Sequence, residues 1–319
     1  MHTITLSTLH RDLYSNRLFL TVLVSLKVTA DEFKNLPTPS KNLILTPLIN
    51  AGNISEAKSL ANVTLFPGVT SYSGFLTVDE ECKSHLFFWF FPAATGNKSA
   101  PLFLWHGGGP GTSALFALFQ GTGPVILDKT DDSWTLNNNS WTQSRSVLYL
   151  DSPVELVSVI QRKAAYAMHY SRDDVADGTI NALRQFFELF QKSIHVDTAS
   201  SGRVFQTSSR VVYENLLSDL YKSVGDLVEN LLDAGTNSCS LLVSLTLVPH
   251  TTIEKFLDEL RWKGTNELRS KGNSWWDNGQ VVGYGKIVGN LTYLMFRNTG
   301  IILFDQPEWT LDLILRFTN

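Results

Sequence analysis

Residues 101–113 read Pro101-Leu102-Phe103-Leu104-Trp105-His106-Gly107-Gly108-Gly109-Pro110-Gly111-Thr112-Ser113. The apolar residues at the start of this run predict a short buried strand, and the strand leads into a glycine-rich loop. Three consecutive glycines leave the backbone free to approach a ligand closely, so the amides of Gly108 and Gly109 can point at a developing negative oxygen. Glycine runs also form ordinary tight turns, so the loop indicates an oxyanion-binding role only if further motifs agree with it.

Further motifs do follow in order along the chain. They are Gly123-Pro124, Trp141-Thr142 and Tyr149-Leu150-Asp151-Ser152-Pro153-Val154. Upstream, Tyr72–Val78 and His85–Phe91 predict a strand hairpin, because both are rich in aromatic residues and are bounded by polar ones. This order resembles the serine carboxypeptidase family, whose members carry Trp-x-(Asn/Gln)-Gly-Gly-Pro-Gly, then Gly-Pro, Trp-Thr and Tyr-x-Asp-x-Pro-Val. Within the family it resembles the vitellogenic type of animals.

The resemblance extends over roughly residues 71–190 and 193–317 and implies an α/β fold. We expect an α/β-hydrolase-type mixed sheet with flanking helices. The apolar patterns between the motifs predict its remaining elements. These are the strands Ser146–Leu150, Leu241–Val248, Gln280–Gly285 and Leu291–Phe296, and helices that start at Ser171, run over Ser208–Leu232 and cover Thr251–Leu257.

The resemblance breaks between Gln191 and Lys192. At this point the family continues into a strand that ends in Gly-Glu-Ser-Tyr-Ala-Gly, the turn that presents the nucleophilic serine, and then into a long helical cap. Here the chain passes directly to a segment that resembles residues well beyond the cap. The sequence contains no Gly-x-Ser-x-Gly turn. We therefore expect a truncated hydrolase domain over residues 71–319, without the nucleophile elbow or the cap.

The resemblance also implies that three further functional positions have changed. Leu245 stands where the family has the aspartate that orients the catalytic histidine, and Ile301 stands at the histidine itself. Gly107 replaces the Asn or Gln that holds the terminal carboxylate of the peptide. Gly108 and Gly109 remain as the remnant of the oxyanion loop. Since acyl transfer needs a nucleophile, a base and an orienting acid, the resemblance implies no catalytic residue in this chain.

No other side chain of the sequence is a convincing replacement. Ser113 is the strongest candidate serine because it follows the glycine loop, but the family serine at this place packs the loop and does not attack. His106, His195 and His250 are better interpreted as neutral polar residues, since nothing in the sequence pairs them with a serine. No spacing of His, Cys, Asp or Glu indicates a metal site, and no phosphate-binding loop or cofactor motif is present.

The first 30 residues have the pattern of a secretory signal peptide. Arg11 and Arg17 precede the apolar run Leu18–Leu26, and the small residues Val28 and Ala30 have the spacing of a cleavage site. A buried strand is the alternative, which the polar flanks disfavour. The apolar run is short for a membrane span. Residues 31–70, rich in Pro, Asn and Gly, predict an extended N-terminal arm.

Composition and modification motifs agree with a secreted or lysosomal location. The chain has 319 residues, of which 43% are hydrophobic, and a net charge of -4 that gives no reason to expect a nucleic-acid partner. The two cysteines, Cys82 and Cys239, can form one bridge or remain free thiols. Asparagines in Asn-x-Ser/Thr motifs are glycosylation acceptors; they are Asn53, Asn62, Asn97, Asn138 and Asn290.

Three hypotheses about function remain open from the sequence. The first is a serine carboxypeptidase-family protein without peptidase activity. The second is a secreted non-catalytic protein whose glycine-loop cleft binds peptide or protein C-termini. The third is an active carboxypeptidase of which this sequence lacks skipped exons.

The N-terminal pattern and the acceptor motifs lead to a first prediction. Expressed in insect or mammalian cells, the protein is expected in the medium, starting near Asp31 and carrying N-linked glycans. Terminal sequencing and glycosidase treatment test this, the latter by a gain in electrophoretic mobility. A product that stays inside the cells and does not shift on treatment contradicts the prediction.

Overall fold

A computed structural model describes residues 43–81, 83–106, 112–128, 133–151, 172–190, 225–233, 240–244, 250–270, 272–277, 279–289, 291–297 and 305–317. The helices are α1 (Thr46–Asn50), α2 (Ile54–Leu60), α3 (Ala114–Ala117), α4 (Arg172–Phe190), α5 (Gly225–Asp233), α6 (His250–Glu259), α7 (Thr265–Ser270) and α8 (Pro307–Phe317). The strands are β1 (Asn62–Val63), β2 (Ser71–Asp79), β3 (Ser84–Phe91), β4 (Leu102–His106), β5 (Val125–Leu127), β6 (Trp134–Leu136), β7 (Ser146–Asp151), β8 (Ser240–Ser244), β9 (Asn273–Asp277), β10 (Gln280–Val288) and β11 (Leu291–Phe296).

Strand β3 is the middle strand of a five-stranded sheet with the order β1-β2-β3-β7-β4. All eight of its residues are buried. Alternate side chains of a strand point to opposite faces, and here both sets are large and apolar. Phe87, Trp89 and Phe91 therefore pack on one side, while Leu86, Phe88 and Phe90 pack on the other. A strand that is buried on both faces needs a layer of structure on each side of the sheet.

Helices supply both layers. On one face the 19-residue helix α4 places Ala182, Phe186 and Phe190 against the aromatic residues of β3, with α1 and α2 beside it. The rings of Phe90 and Phe186 meet edge to face, with centroids 5.1 Å apart. On the other face lie α3, the π-helical turn Leu118–Thr122 and residues of α8. The expected sheet with flanking helices is confirmed.

The register of the strands makes the first sheet mixed. β2 pairs with β3, and β3 with β7, in antiparallel register. β4 pairs with β7 in parallel register, with Leu102 opposite Ser146 and His106 opposite Leu150. The predicted hairpin and the predicted strands around Leu102 and Ser146 are all confirmed within a residue or two.

The C-terminal half forms a second, four-stranded sheet with the order β8-β11-β10-β9. β8 and β11 are parallel, and the other pairs are antiparallel. Helices α5, α6 and α7 pack on it through a third apolar cluster that includes Trp262, Leu291 and Tyr293. The last two predicted strands are confirmed, and α6 confirms the helix predicted at Thr251–Leu257.

The expected sheet is divided into two parts in the described residues. β4 and β8 are each the outermost strand of a sheet, and each has its partner in parallel register. A helix that follows a strand of a parallel pair normally leads to a further strand parallel to that one, and the strand, helix and strand together form a βαβ unit. After β7 and α4, the next described strand is β8, in the second sheet. The division coincides with the break in the sequence resemblance at Gln191.

The segment predicted as an extended arm differs from that expectation where it is described. Residues 43–63 form α1, α2 and β1, and Leu45, Ile49 and Ala57 are fully buried against the sheet. The backbone amides of Leu45 and Phe75 donate to the carbonyls of Phe75 and Leu43, respectively. Gly52 and Asn53 mark the turn between α1 and α2, and Pro67 and Gly68 lie in a turn before β2, because apolar residues on either side of these turns find a place in the core.

Among the residues with described positions, none of the helices has both the length and the apolar character needed to cross a bilayer.

One buried hydroxyl pair connects the first sheet to the turn after α3. The Tyr149 side chain is fully buried, and its hydroxyl lies 2.8 Å from Thr122 Oγ1. Because Thr122 donates its own proton to the carbonyl of Ala117, the Tyr149 phenol is the donor in this pair. Burial raises the pKa of Tyr149 well above its usual value, since an ionised phenolate would lose its hydration.

This raised pKa predicts a loss of stability in alkali. The unfolded chain releases the phenolic proton at about pH 10 while the folded chain retains it, so the stabilising contribution is complete below about pH 10 and falls as pH rises. Urea unfolding of wild type and Tyr149→Phe should show wild type more stable by about 1 kcal/mol at neutral pH. Above pH 10 wild type should lose about 1.4 kcal/mol per pH unit relative to the variant. A difference between the two that is constant from pH 7 to pH 11 contradicts the prediction.

Candidate functional site

The candidate site lies where two neighbouring parallel strands end. β4 ends at His106 and leads directly into the glycine loop, while β7 ends one residue beyond the partner of His106, at Asp151. Because parallel strands have their carboxyl ends at the same edge of a sheet, His106 and Asp151 lie beside each other at that edge. In open α/β sheets this edge is where ligands bind.

Ser113, at the far end of the glycine loop, is bound to Asp151. The Ser113 hydroxyl donates to the Asp151 carboxylate, with Oγ 2.8 Å from Oδ1 and 2.9 Å from Oδ2. The backbone amide of Ala114 donates to the same Oδ1 at 2.6 Å. Ser113 Oγ also accepts from the amide of Leu115 at 3.1 Å and so caps the N-terminus of α3. Asp151 is only 1% exposed, so these donors compensate a carboxylate that is removed from water.

This geometry gives Ser113 a structural role. A serine becomes a nucleophile when a neighbouring base accepts its proton and the oxygen is free to reach a substrate. The Ser113 side chain is instead buried, and its proton is held by a carboxylate. The described contacts of Ser113 are with Asp151 and with the first turn of α3.

His106 is also engaged in a hydrogen bond. Its Nε2 lies 3.0 Å from Thr179 Oγ1 on α4. Thr179 donates its proton to the carbonyl of Val175 at 2.8 Å, so in the contact with His106 it acts as the acceptor. His106 therefore carries a proton on Nε2 and ties the end of β4 to α4, and Nε2 is not a base in this arrangement.

Most of the other residues singled out in the sequence lie outside the described residues. His250 is described as the first residue of α6, in the second sheet's helical layer. The positions outside the description include the glycine loop and the two positions that the resemblance predicts to be altered triad positions, and no contact among them is described. They are Gly107, Gly108, Gly109, Leu245, Ile301, His195, Cys82, Cys239 and Asn290.

The remaining motifs around the loop serve to hold the backbone. Asn137 Nδ2 donates to the carbonyls of Gly121 and Gly123, each at 2.8 Å. Ser140 Oγ accepts from the amide of Thr142 and caps the short helical turn Trp141–Gln143. The Trp141 ring packs edge to face on Phe103 and Trp105 of β4. These motifs thus fix the turns that flank β4 and contribute no reactive group.

Four of the five predicted glycosylation acceptors are described, and all four are exposed: Asn53, Asn62, Asn97 and Asn138. Asn97 lies in a turn in which its own Oδ1 accepts from the amide of Ser99 at 3.0 Å. Their exposure makes each accessible to a glycosylating enzyme. Within the described ranges, no group of three His, Cys, Asp or Glu side chains comes together as a metal site.

The sequence profile of the serine carboxypeptidase family matches residues 62–202 and 190–319. The chain belongs to the serine carboxypeptidase family. The two matched stretches meet at residues 190–202, where the resemblance breaks and the sheet divides.

Relatives of the chain carry the same family name. The probable serine carboxypeptidase CPVL of Homo sapiens is 40% identical over 168 residues, which cover 51% of this chain and 34% of the relative. The vitellogenic carboxypeptidase of Aedes aegypti is 37% identical over 151 residues, or 46% of this chain and 31% of the relative. The chain thus spans about a third of the length of these two relatives.

One relative aligns over nearly its whole length. The venom serine carboxypeptidase of Apis mellifera is 40% identical over 429 residues, covering 87% of this chain and 91% of the relative. That alignment is longer than the 319 residues of this chain, so the relative contains residues that this chain lacks. Residues 62–202 and 190–319 match the family consecutively, which indicates that the lacking residues include an internal segment.

A solved structure supports the fold independently. Kex1(delta)p, a prohormone-processing carboxypeptidase from Saccharomyces cerevisiae, superposes with a TM-score of 0.65 at 14% sequence identity. The match covers 82% of this chain and 94% of that one. The predicted α/β-hydrolase-type fold is therefore confirmed by structure as well as by sequence.

Asp151 is the residue whose role the sequence motifs alone did not predict. It was recognised as part of Tyr149–Val154, but its function as the acceptor that holds Ser113 and α3 comes from the structure. An acidic residue directly after the buried apolar strand Val147–Leu150 was an available signal, since buried carboxylates are found only where donors surround them.

The Ser113–Asp151 contact yields a prediction with a matched control. Ser113 and Ser140 are both buried, and each caps a helical turn by accepting an amide at 3.1 Å, but only Ser113 also donates to a carboxylate. Ser140→Ala should lower the free energy of unfolding by about 1–2 kcal/mol, through loss of the cap and of the uncharged contacts of Ser140 Oγ with the Thr122 carbonyl and Thr142 Oγ1. Ser113→Ala should lower it by about 3 kcal/mol, because a hydrogen bond to a buried charge is lost as well. Equal losses in chemical denaturation would refute the structural role assigned to Asp151.

Proposed function

We propose that this chain is a member of the serine carboxypeptidase family without peptidase activity that enters the secretory pathway. The observation that carries the proposal is the engagement of Ser113. Ser113 is the strongest candidate replacement for the missing nucleophile, and its hydroxyl is buried against Asp151. A buried serine whose hydroxyl is held in this way has no open path to a scissile carbonyl.

The side chains at the positions of the family's catalytic aspartate and histidine support the same proposal. Leu245 and Ile301 stand where the family has aspartate and histidine, and neither side chain can accept or donate a proton. The triad works as a unit, and removal of a single member costs about 10⁴-fold or more in rate. The oxyanion amides of Gly108 and Gly109 alone would leave only a small residual acceleration over water.

Entry into the secretory pathway rests on separate observations. The apolar run Leu18–Leu26 behind two arginines has the length of a signal peptide and not that of a membrane span. The exposure of the four described glycosylation acceptors is the arrangement that N-linked modification requires.

A second candidate function is an active carboxypeptidase whose complete product contains the internal segment that this sequence lacks. The alignment with the Apis mellifera relative over 429 residues favours such a product. A restored segment between Gln191 and Lys192 would bring the nucleophile elbow but would leave Leu245 and Ile301 unchanged. The inactive protein therefore remains the better supported function, and the transcript sequence across this junction distinguishes the two.

Under this proposal, the cleft at the glycine loop binds peptides without cleaving them. The family acts on the C-termini of peptides, and the glycine loop at the end of β4 retains its backbone donors in sequence. Gly107 lacks the side-chain amide that grips the terminal carboxylate, so we expect such binding to be weak.

The proposal predicts that the purified full chain is not labelled by a fluorophosphonate probe. It should also release no C-terminal residue from blocked dipeptides between acidic and neutral pH. The Apis mellifera venom carboxypeptidase, assayed in parallel, is the positive control for both measurements. Restoring a histidine by Ile301→His should recover no activity, because no activated serine is present to use it.

Two outcomes would contradict the proposal in different ways. Labelling that disappears in Ser113→Ala would show that the loop serine acts as a nucleophile after all. Release of residues that survives Ser113→Ala would show a catalytic group elsewhere in the chain. Saturable binding of a peptide without turnover is the result expected for the non-catalytic function.

A further inference from the structure

The four described glycosylation motifs differ at the residue two positions after the asparagine. The motif Asn-x-Ser/Thr includes a hydroxyl at that position, so the enzyme that modifies the asparagine must reach the hydroxyl as well. Three of these hydroxyl residues are exposed, namely Ser55, Thr64 and Ser99. The fourth, Ser140 of the Asn138 motif, is only 2% exposed. In the folded chain the Asn138 motif therefore has its asparagine in solvent and its hydroxyl in the interior.

Several hydrogen bonds hold the Ser140 hydroxyl in the interior. Ser140 Oγ accepts from the amide of Thr142 at 3.1 Å and lies 2.7 Å from Thr142 Oγ1. It also lies 3.3 Å from the carbonyl of Thr122, to which it donates. On the other side of the motif, the buried side chain of Asn137 donates to two glycine carbonyls, each at 2.8 Å. An enzyme that contacts Ser140 has to break several of these bonds first.

The side chain of Trp141, the next residue, adds to the cost of opening this turn. Trp141 is 5% exposed, and its ring packs edge to face on Phe103 and Trp105 of β4, with centroid distances of 5.8 and 5.7 Å. Because Ser140 and Trp141 are adjacent, moving Ser140 into solvent also pulls the indole out of the core. A local opening that breaks both the buried hydrogen bonds and this packing is populated in about 1% or less of the folded molecules.

The Asn97 motif lies in the opposite kind of environment. Asn97, Lys98 and Ser99 are all exposed, in the connection between β3 and β4. The amide of Ser99 donates to Asn97 Oδ1 at 3.0 Å, and the amide of Asn97 donates to Thr95 Oγ1 at 3.3 Å. Both bonds are at the surface, where water or an enzyme can replace them at little cost in free energy. The described contacts of this motif therefore leave it open to an enzyme after folding.

We propose that Asn138 accepts an N-linked glycan only before the chain folds, whereas Asn97 accepts one before or after folding. In this transfer the side-chain nitrogen of the asparagine forms a bond to the first carbon of an oligosaccharide and gives up one proton. The bond from that carbon to a lipid diphosphate breaks, and the diphosphate leaves with the bonding electrons. The glycan then stays in solvent on Asn138 while Ser140 enters the interior. The inference rests on the proposed entry into the secretory pathway, where the lipid-linked oligosaccharide is the donor.

Glycan transfer to the folded full chain in vitro tests the proposal. The chain is produced in a bacterial strain without N-glycosylation, selected for a cooperative unfolding transition, and incubated with purified oligosaccharyltransferase and lipid-linked oligosaccharide. Synthetic peptides of residues 91–103 and 132–144 give the intrinsic rate of each motif. Mass spectrometry of glycopeptides should show Asn97 modified within about 10-fold of its peptide, and Asn138 about 100-fold or more slower than its peptide. Equal ratios for the two motifs, or a lower ratio at Asn97, would overturn the proposal.

Two variants separate the effect of burial from the quality of the motif. Asn137→Ala removes the side-chain bonds that hold the turn, so it should raise the rate at Asn138 in the folded chain by about 10-fold and leave Asn97 unchanged. Thr95→Ala, which removes one acceptor beside the Asn97 motif, is the matched control and should change neither rate by more than about 2-fold. An unchanged rate at Asn138 in Asn137→Ala would contradict the role of the turn, and the wild-type ratio decides the proposal even if this variant does not fold.

The same experiment keeps this inference apart from the proposed secretory entry. Transfer in vitro does not require the N-terminal pattern, so its outcome is independent of where cells deliver the chain. Retention inside cells together with the expected ratio of rates would refute secretory entry alone. Secretion with glycans, together with equal ratios at Asn97 and Asn138 in vitro, would refute this inference alone.

Discussion

The burial of β3 on both of its faces is the constraint on which the described structure depends. Six of its eight residues are large apolar side chains, and they alternate between two clusters on opposite sides of the sheet. A sheet of this kind is stable only if each face is covered, so one layer is formed by α1, α2 and α4 and the other by α3 and its neighbours. The same constraint draws part of the N-terminal segment into the core.

A second constraint is the buried carboxylate at the end of β7. Asp151 is removed from water and must be surrounded by donors, and Ser113 and the amide of Ala114 are among them. This requirement anchors the end of the glycine loop to the sheet. The anchoring of the loop's end at Ser113 therefore does not depend on the residues that stand at the family's triad positions. The loop's support and its chemistry are carried by different residues.

The internal segment that this chain lacks relative to the family has two physical consequences. In the family resemblance this segment carries the nucleophile turn, and that is one ground for the proposed non-catalytic function. Its absence also interrupts the βαβ order after α4, so that in the described residues β4 and β8 become outermost strands of separate sheets.

The sequence alone determined the family, the α/β class and the positions of the main strands of the first sheet. This was possible because apolar runs of five to eight residues, bounded by glycine, proline and polar residues, are strong local signals. The short helices at residues 46–60 were not predicted, since helices of five to seven residues owe their stability to packing rather than to their own sequence. Only the tertiary structure decided that Ser113 donates a hydrogen bond to Asp151, 38 residues away, because the contact depends on two parallel strands ending at one edge of the sheet. It likewise decided that β4 is the outermost of the described strands of the first sheet, because the order of strands is a property of the whole sheet.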